Sequence, residues 1–355
     1  MSRLRVAIVG AGIGAQHVAG FNANPELFEV VVICDRDLGR ASALAAQVTA
    51  GSPGVHGDFD DALLARADID VVDICLPPFL HFDAVSRALR AGKHVICEKP
   101  LVGSLREADA LAALSAETGR VVMPIFQVRF GRGLARAAHL LHGGAAGRVF
   151  LTTIETHWSR GADYYAIPWR GTKAYELGGA FLGHAIHVHD MLTTLIGPVR
   201  SVSAATAIRV NPIETEDCGG AVLEMADGSI AVLSVTLGSA DEHTRTRIMA
   251  ERVTIESGGP VYASSREPWT FVPKVPADQA WLEAALAGAP AGREGYDAQF
   301  ALFHAALAEG RPPPVTVGEA RASLELITAI YRSAREGVRV TLPIGPGDAG
   351  YDGWN

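Results

Sequence analysis

Through the first 125 residues, short uninterrupted apolar runs alternate with stretches whose apolar positions recur at helical spacing. The runs Val6-Ala7-Ile8-Val9, Val30-Val31-Val32-Ile33, Val71-Val72-Asp73-Ile74, His94-Val95-Ile96-Cys97 and Val121-Val122-Met123 are of strand length. Because they are continuous rather than alternating, they predict strands buried on both faces, as in a parallel sheet. Between them, 79–91 puts Val85, Ala88 and Leu89 on one helical face and stops at Gly92. A further helix opens with the capping box Ser104-Leu105-Arg106-Glu107 and ends near Gly119. This alternation predicts a doubly wound α/β sheet.

Past Pro124 the pattern changes. Helices are predicted at 134–141 and 179–195, on either side of a strand at 149–157. Four runs at 199–208, 220–225, 230–237 and 244–255 then look like neighbouring antiparallel strands, with Asp227-Gly228 as a hairpin signal. Helices at 296–309 and 318–335 and a short strand at 338–342 follow. The prediction is an α+β domain with an open, mainly antiparallel sheet. The division is therefore 1–124 and 125–355, and 355 residues suit two cores. The helices predicted after Thr244 are too few to cover the second sheet. One of its faces is expected to be covered by a partner subunit in a homodimer or homotetramer.

Composition narrows the class. Hydrophobic content of 48% and charged content of 20% are those of a folded globular chain. A net charge of −8 argues against a nucleic-acid surface, and no stretch approaches the ~20 apolar residues of a membrane span. Met1-Ser2-Arg3 runs straight into a strand without a cleavage site, so the expected compartment is cytoplasmic. Cys34, Cys75, Cys97 and Cys218 are too few and too scattered for a disulfide framework or a zinc site.

Gly10-Ala11-Gly12-Ile13-Gly14-Ala15 follows the first strand and opens a helix. The first glycine permits a tight turn, the second lets backbone approach a diphosphate, and the small Ala15 lets helix and strand pack closely. The diphosphate would sit on the free amides of the helix start, around Ile13 and Gly14. Asp35 ends the second strand, where a carboxylate meets ribose hydroxyls. Together these predict a Rossmann nucleotide site. Asp35 repels a 2′-phosphate, so NAD is expected over NADP, with Arg36 beside it as the opposing feature.

Leu76-Pro77-Pro78, His81 and Ala91-Gly92-Lys93-His94-Val95-Ile96-Cys97-Glu98-Lys99-Pro100 resemble the glucose–fructose oxidoreductase/inositol dehydrogenase/rhizopine catabolism (Gfo/Idh/MocA) family. Trp169-Arg170-Gly171, Gly178-Gly179-Ala180-Phe181-Leu182 and His187-Val188-His189-Asp190 resemble its later segments. Glu216-Asp217, Asp227-Gly228 and 320–343 also fit. The resemblance covers nearly the whole chain. It implies NAD(P)-dependent redox chemistry on sugars, cyclitols or their derivatives, in dimers or tetramers. It implies further that Leu76, Pro77, His81, Glu98, Gln127, Trp169 and Arg170 lie on the cofactor side, and Arg129 near nicotinamide and substrate. For His81 an ordinary helix-start role stays open, and for Arg129 a surface position at the domain junction. The family's catalytic histidine corresponds to His187, with a carboxylate four residues before it. That position is Gly183 here, so the usual lysine–aspartate–histidine set lacks its aspartate.

Chemistry points to the same places. Oxidising a secondary alcohol sends a hydride to nicotinamide and a proton to a base, which suits histidine or a lysine depressed by its site. Lys99 ends a central strand, where ligands bind in open α/β sheets. His187 and Asp190, three apart, share a helical face, so Asp190 is available to orient the imidazole. His184 is turned by about 100° from position 183 and replaces the missing carboxylate only if the helix start is irregular. His184, His187, His189 and Asp190 do not bring three ligands to one face, so no metal is expected. His157, Trp158, Arg160, Tyr164, Tyr165, Trp169 and Arg170 suit stacking on a sugar ring or, equally, sheet packing or an interface. Lys99, Arg129, His157, His184, His187 and Asp190 are the expected substrate-side residues. The expected function is oxidoreduction at a secondary hydroxyl of a small polyhydroxylated substrate. An NAD-dependent glycosidase is one rival. A non-catalytic sugar sensor is the other, favoured by Gly183 and opposed by Lys99 and His187.

Overall fold

The computed structural model describes residues 2–354. The chain forms two compact units: Met1–Gln127 with Gly295–Arg321, and Val128–Glu294 with Ala322–Asn355.

The first unit alternates β1 (Leu4–Val9), α1 (Gly14–Asn22), β2 (Phe28–Cys34), α2 (Leu38–Ala45), β3 (Gly51–His56), α3 (Asp61–Leu64), β4 (Val71–Ile74), α4 (His81–Arg90), β5 (His94–Cys97), α5 (Leu105–Thr118) and β6 (Val122–Pro124). Its six strands are all parallel, in the order β3-β2-β1-β4-β5-β6. The apolar runs are buried as their continuity predicts, with Val6, Val30, Val71 and Val95 fully enclosed. β3 has no such run. Its Gly51-Ser52-Pro53-Gly54 sequence is tolerated because it is an edge strand. Strand order reverses between β1 and β4, the switch point where ligands of such sheets bind. Ser104 Oγ accepts the Glu107 amide at 3.1 Å and caps α5, as the capping box requires.

The second unit contains α6 (Arg132–His142), β7 (Val149–Ser159), α7 (Ala162–Tyr165), α8 (Ala180–Gly183), α9 (Ile186–Ile196), β8 (Val199–Ala207), β9 (Cys218–Met225), β10 (Ile230–Thr236), β11 (Gly238–Ala250), β12 (Val253–Ser257), β13 (Trp269–Pro273) and α10 (Gln279–Leu286). The run expected as one strand at 244–255 is two, because the chain folds back at Glu251-Arg252. The eight-stranded sheet runs β13-β12-β11-β7-β10-β9-β8-β14, with β14 at Val340–Thr341. All its pairings are antiparallel except β7 with β10. Along β7, Thr152, Ile154 and Thr156 are buried, while Thr153, Glu155 and His157 point to the other face. Register places Val232 opposite both Thr153 and Val222, so the two valines lie on that second face, 37% and 50% exposed.

The closing helices are α11 (Gly295–Glu309) and α12 (Val317–Glu336). The sequence division put both in the second domain. In the structure α11 belongs to the first unit because its aromatic side is buried there. Phe300 stacks on Phe21 at 4.3 Å, and a Cβ on Gly20 would lie 2.8 Å from Phe300, so α1 and α11 pack in close contact. Gln299 Nε2 donates to the Pro124 carbonyl at 2.8 Å. Among the described residues, no helix is long and apolar enough to cross a membrane.

Candidate active site

After β1 the chain turns at Gly10, with φ +105°, where a Cβ would stand 2.3 Å from the Cys75 carbonyl. Only glycine fits such a position. A Cβ on Gly12 would meet nothing within 4 Å, which leaves open backbone for a diphosphate. The close helix–strand approach expected at Ala15 belongs to Gly14 instead, whose Cβ would lie 3.2 Å from Ile8 Cγ2. α1 starts there without a side-chain cap, so its first amides face an incoming anion. Asp35 accepts the Ala11 amide at 2.8 Å and the Asp37 amide at 2.9 Å. Its ion pair is with Arg40, at 2.8 Å, and not with the exposed Arg36. Burial would raise the Asp35 pKa, but Arg40 and the two amides outweigh it and hold the carboxyl below its usual range. The Gln127 side-chain oxygen is buried with no hydrogen-bond partner among the described residues, an acceptor a bound amide can use.

Beneath this loop lies a chain of buried polar groups. His17, on α1, has Nδ1 2.9 Å from Asp73 Oδ2 and Nε2 3.0 Å from Glu98 Oε1. Tyr296, on α11, donates its hydroxyl to Glu98 Oε1 at 2.9 Å. Glu98 Oε2 accepts the Lys99 amide at 3.0 Å. Burial alone would depress the His17 pKa, but Asp73 and its neighbours outweigh that and hold the imidazole well above the usual histidine range. An imidazolium between two carboxylates thus anchors the backbone at Lys99, which is half-buried at the end of β5. His17, Asp73, Tyr296 and Arg40 were not singled out from the sequence. One signal was available: a carboxylate inside the apolar run Val71-Val72-Asp73-Ile74 must find a buried partner.

In the second unit, the helix expected at 179–195 breaks into α8 and α9 at His184-Ala185. The Ala185 amide reaches back five residues to the Ala180 carbonyl. The regular rotation assumed between 183 and 184 therefore does not apply. α8 has no local cap, and Glu216 supplies one by accepting the Gly179 and Phe181 amides at 2.9 and 3.0 Å and the Tyr331 hydroxyl at 2.8 Å. Burial pushes the Glu216 carboxyl up to about 7. His184 packs against Trp158 and Tyr164, each with ring centroids 5.5 Å away. Arg170 lies over Tyr164 at 3.9 Å and over Trp169 at 4.6 Å, and donates to the Tyr164 hydroxyl. Arg160 lies over Trp158 at 5.1 Å and Tyr262 at 5.3 Å. The result is an aromatic and guanidinium wall beside an imidazole, a surface suited to a sugar ring.

One expectation needs correction. His157 does not join this wall. It alternates with Trp158 onto the other sheet face, where its ring is 4.7 Å from that of His243 and its Nε2 is 2.9 Å from Ser234 Oγ. Asp190 is engaged by Arg129, which donates from Nε at 3.0 Å and from Nη2 at 2.5 Å. That leaves Arg129 largely buried rather than a surface arginine, with Asp190 as its fork partner. His81 is fully buried between the Pro100 and Leu76 carbonyls, 2.8 and 2.7 Å from its ring nitrogens. Both of its ring nitrogens are thus engaged by backbone carbonyls. Leu76, Pro77 and His187 are half-buried, and His189 is fully buried.

The family model described as "Oxidoreductase family, NAD-binding Rossmann fold" matches residues 4–126, and the "GFO/IDH/MocA C-terminal domain" matches 134–256. The chain is 28% identical to the inositol 2-dehydrogenase of Rhizobium meliloti (strain 1021), over 96% of this chain and 99% of that one. It is 32% identical to the D-glucoside 3-dehydrogenase of Escherichia coli (strain K12), over 57% of each chain. An uncharacterized oxidoreductase of Schizosaccharomyces pombe is also 32% identical, over 60% of its own length. The chain thus spans about three fifths of the length of these last two relatives. Among solved structures, the WlbA dehydrogenase from Bordetella pertussis, in complex with NADH and UDP-GlcNAcA, is similar with a TM-score of 0.83. It is 28% identical, with 97% of this chain and 99% of that chain covered.

Proposed function

The chain belongs to the Gfo/Idh/MocA oxidoreductase family, with an NAD-binding Rossmann unit, and from that premise we propose that it is an NAD-dependent dehydrogenase of a sugar, sugar acid or cyclitol. The observation that carries the reading is the pinning of Lys99 at the carboxyl end of β5 by the Glu98–His17–Asp73 chain. Bound NAD supplies the hydride acceptor. The chain's own contribution is positional and protolytic. Gly10, Gly12 and the start of α1 cradle the diphosphate, and Asp35 takes the ribose hydroxyls. Lys99 holds the substrate hydroxyl and His187 takes part in moving its proton. The wall of Trp158, Tyr164 and Arg170 stacks on the ring. Relatives named for inositol and for glucosides, and a neighbour in complex with UDP-GlcNAcA, support this substrate class.

The second-unit sheet supports a homo-oligomer. Its open face carries Val222 and Val232 beside Glu155, Arg245, Arg247 and Glu256. Such a mixture of exposed valines and both charge signs can pair with its own copy across a twofold axis.

The test is a panel of inositols, aldoses, glucosides and sugar acids with NAD and with NADP, read by the absorbance of reduced nicotinamide. Steady NADH production with at least one polyol is expected. Glycoside cleavage without accumulating NADH would move the assignment to a glycosidase, and silence across the panel would contradict it.

A further inference from the structure

The open face of the second sheet holds a cluster that the dehydrogenase reading does not use. Glu155 and His157 stand two apart on β7, so both project from this face, and His243 of β11 is in register directly opposite His157. Each of the three offers a ligand atom, and these atoms lie within 4.8 Å of one another. His243 Nε2 is 2.9 Å from Glu155 Oε2, and the two imidazole rings meet edge-on, with centroids 4.7 Å apart and planes at 69°. A neighbour orients each ring: Ser234 Oγ is 2.9 Å from His157 Nε2, and Asp241 Oδ1 stands behind His243, 3.9 Å from Nδ1. The side chains of His243 and Glu155 are 39% and 28% exposed, so an ion can enter from solvent. A second cluster, His17 with Asp73 and Cys75, is sealed inside the Rossmann unit, and its imidazole already bridges two carboxylates.

We propose that Glu155, His157 and His243 form a binding site for a zinc ion, distinct from the aromatic wall. Strand alternation separates the two, because His157 and Trp158 leave β7 on opposite faces. Two imidazoles and one carboxylate are a donor set for zinc, which takes nitrogen and oxygen ligands in tetrahedral array. Magnesium and calcium, which prefer oxygen donors throughout, are disfavoured by the same set. Three protein ligands leave a fourth position for water on the open side. Binding replaces the proton shared between His243 and Glu155, and their 2.9 Å approach widens to about 3.3 Å around a tetrahedral ion. The Asp241 carboxylate behind His243 is placed as the outer partner that makes a ligating imidazole more basic. The cation beside the cluster is Arg245, with Nη1 4.0 Å from Glu155 Oε1, and its Nε is turned to Glu256 at 2.7 Å.

The test is zinc uptake by the full chain, first stripped with a chelator and then titrated in competition with a chromophoric indicator. Wild type, His157→Gln, His243→Gln and Glu155→Gln are compared. Wild type should take one zinc per chain with a dissociation constant on the order of 10⁻⁶ M or lower. Each histidine variant should weaken binding at least about 100-fold, and Glu155→Gln at least about tenfold. X-ray absorption of the zinc-loaded wild type should show nitrogen and oxygen neighbours at about 2.0–2.2 Å. Zinc should raise the melting temperature of wild type and leave that of His243→Gln unmoved. The variants are read separately, so one that fails to fold leaves two measurements of the same site. Wild type that takes up no zinc at about 10⁻⁴ M would overturn the proposal. So would uptake unchanged in the histidine variants, or a sulfur neighbour at about 2.3 Å, which would move the ion to a cysteine.

Discussion

His17 Nε2 lies 3.0 Å from Glu98 Oε1, and its other ring nitrogen lies 2.9 Å from Asp73, both contacts wholly inside the Rossmann unit. The imidazolium thus bridges two buried carboxylates. His17→Leu removes the imidazolium that bridges Asp73 and Glu98 and should destabilise the unit by about 3–5 kcal/mol. Chemical denaturation with and without saturating NAD checks this. The sign with pH follows from the raised pKa: the stabilisation is full below the ordinary histidine pKa and is lost as pH rises through the folded-state value. The gap between wild type and His17→Leu should therefore narrow in alkali.

Asp35 should set cofactor choice. Its carboxylate is already held by the Ala11 amide and by Arg40, so it is oriented before any ligand arrives. Asp35→Ala should cut the ratio of kcat/KM for NAD over NADP by at least about tenfold, since both a ribose partner and a repulsion of the 2′-phosphate are lost. Arg40→Ala should act in the opposite sense by removing the nearest cation. Wild type preferring NADP would contradict the assignment.

His189 is fully buried against Phe181, with neither ring nitrogen hydrogen-bonded among the described residues, and burial drops its pKa to about 3. Between the ordinary value near 6.5 and about 3 the unfolded chain binds a proton that the folded one refuses, so stability falls as pH drops through that window. His189→Leu should be more stable than wild type by about 1–3 kcal/mol at neutral pH. Its advantage should grow as pH falls towards 4, measured by thermal melts across buffers.

Arginine at Val222 and Val232 together should leave the fold intact and shift the assembled species to monomer in sedimentation, because the two valines pair across β9 and β10 on the open face. A wild type that is already monomeric at micromolar concentration would contradict the interface.

Much of this architecture was legible in the chain, and for stated reasons. Continuous apolar runs and the glycine loop wrote out the parallel sheet and its cofactor turn, since both depend on local backbone demands. What local pattern could not show was partnership at a distance. α11 looks like any amphipathic helix until Phe300 is found stacked on Phe21. His157 reads as one more member of an aromatic stretch, yet strand alternation sends it away from Trp158. The break at His184-Ala185 has no proline or glycine at the break itself to announce it.

The most direct measurement is the turnover of Lys99→Met against its affinity for NAD, taken from about pH 6 to about pH 10 on the best polyol. If Lys99 holds and helps deprotonate the substrate hydroxyl, kcat/KM falls by about 10²–10⁴ while the dissociation constant for NAD stays within about twofold. Near-wild-type turnover in Lys99→Met would contradict the account, and with it the assignment of dehydrogenase chemistry to this site.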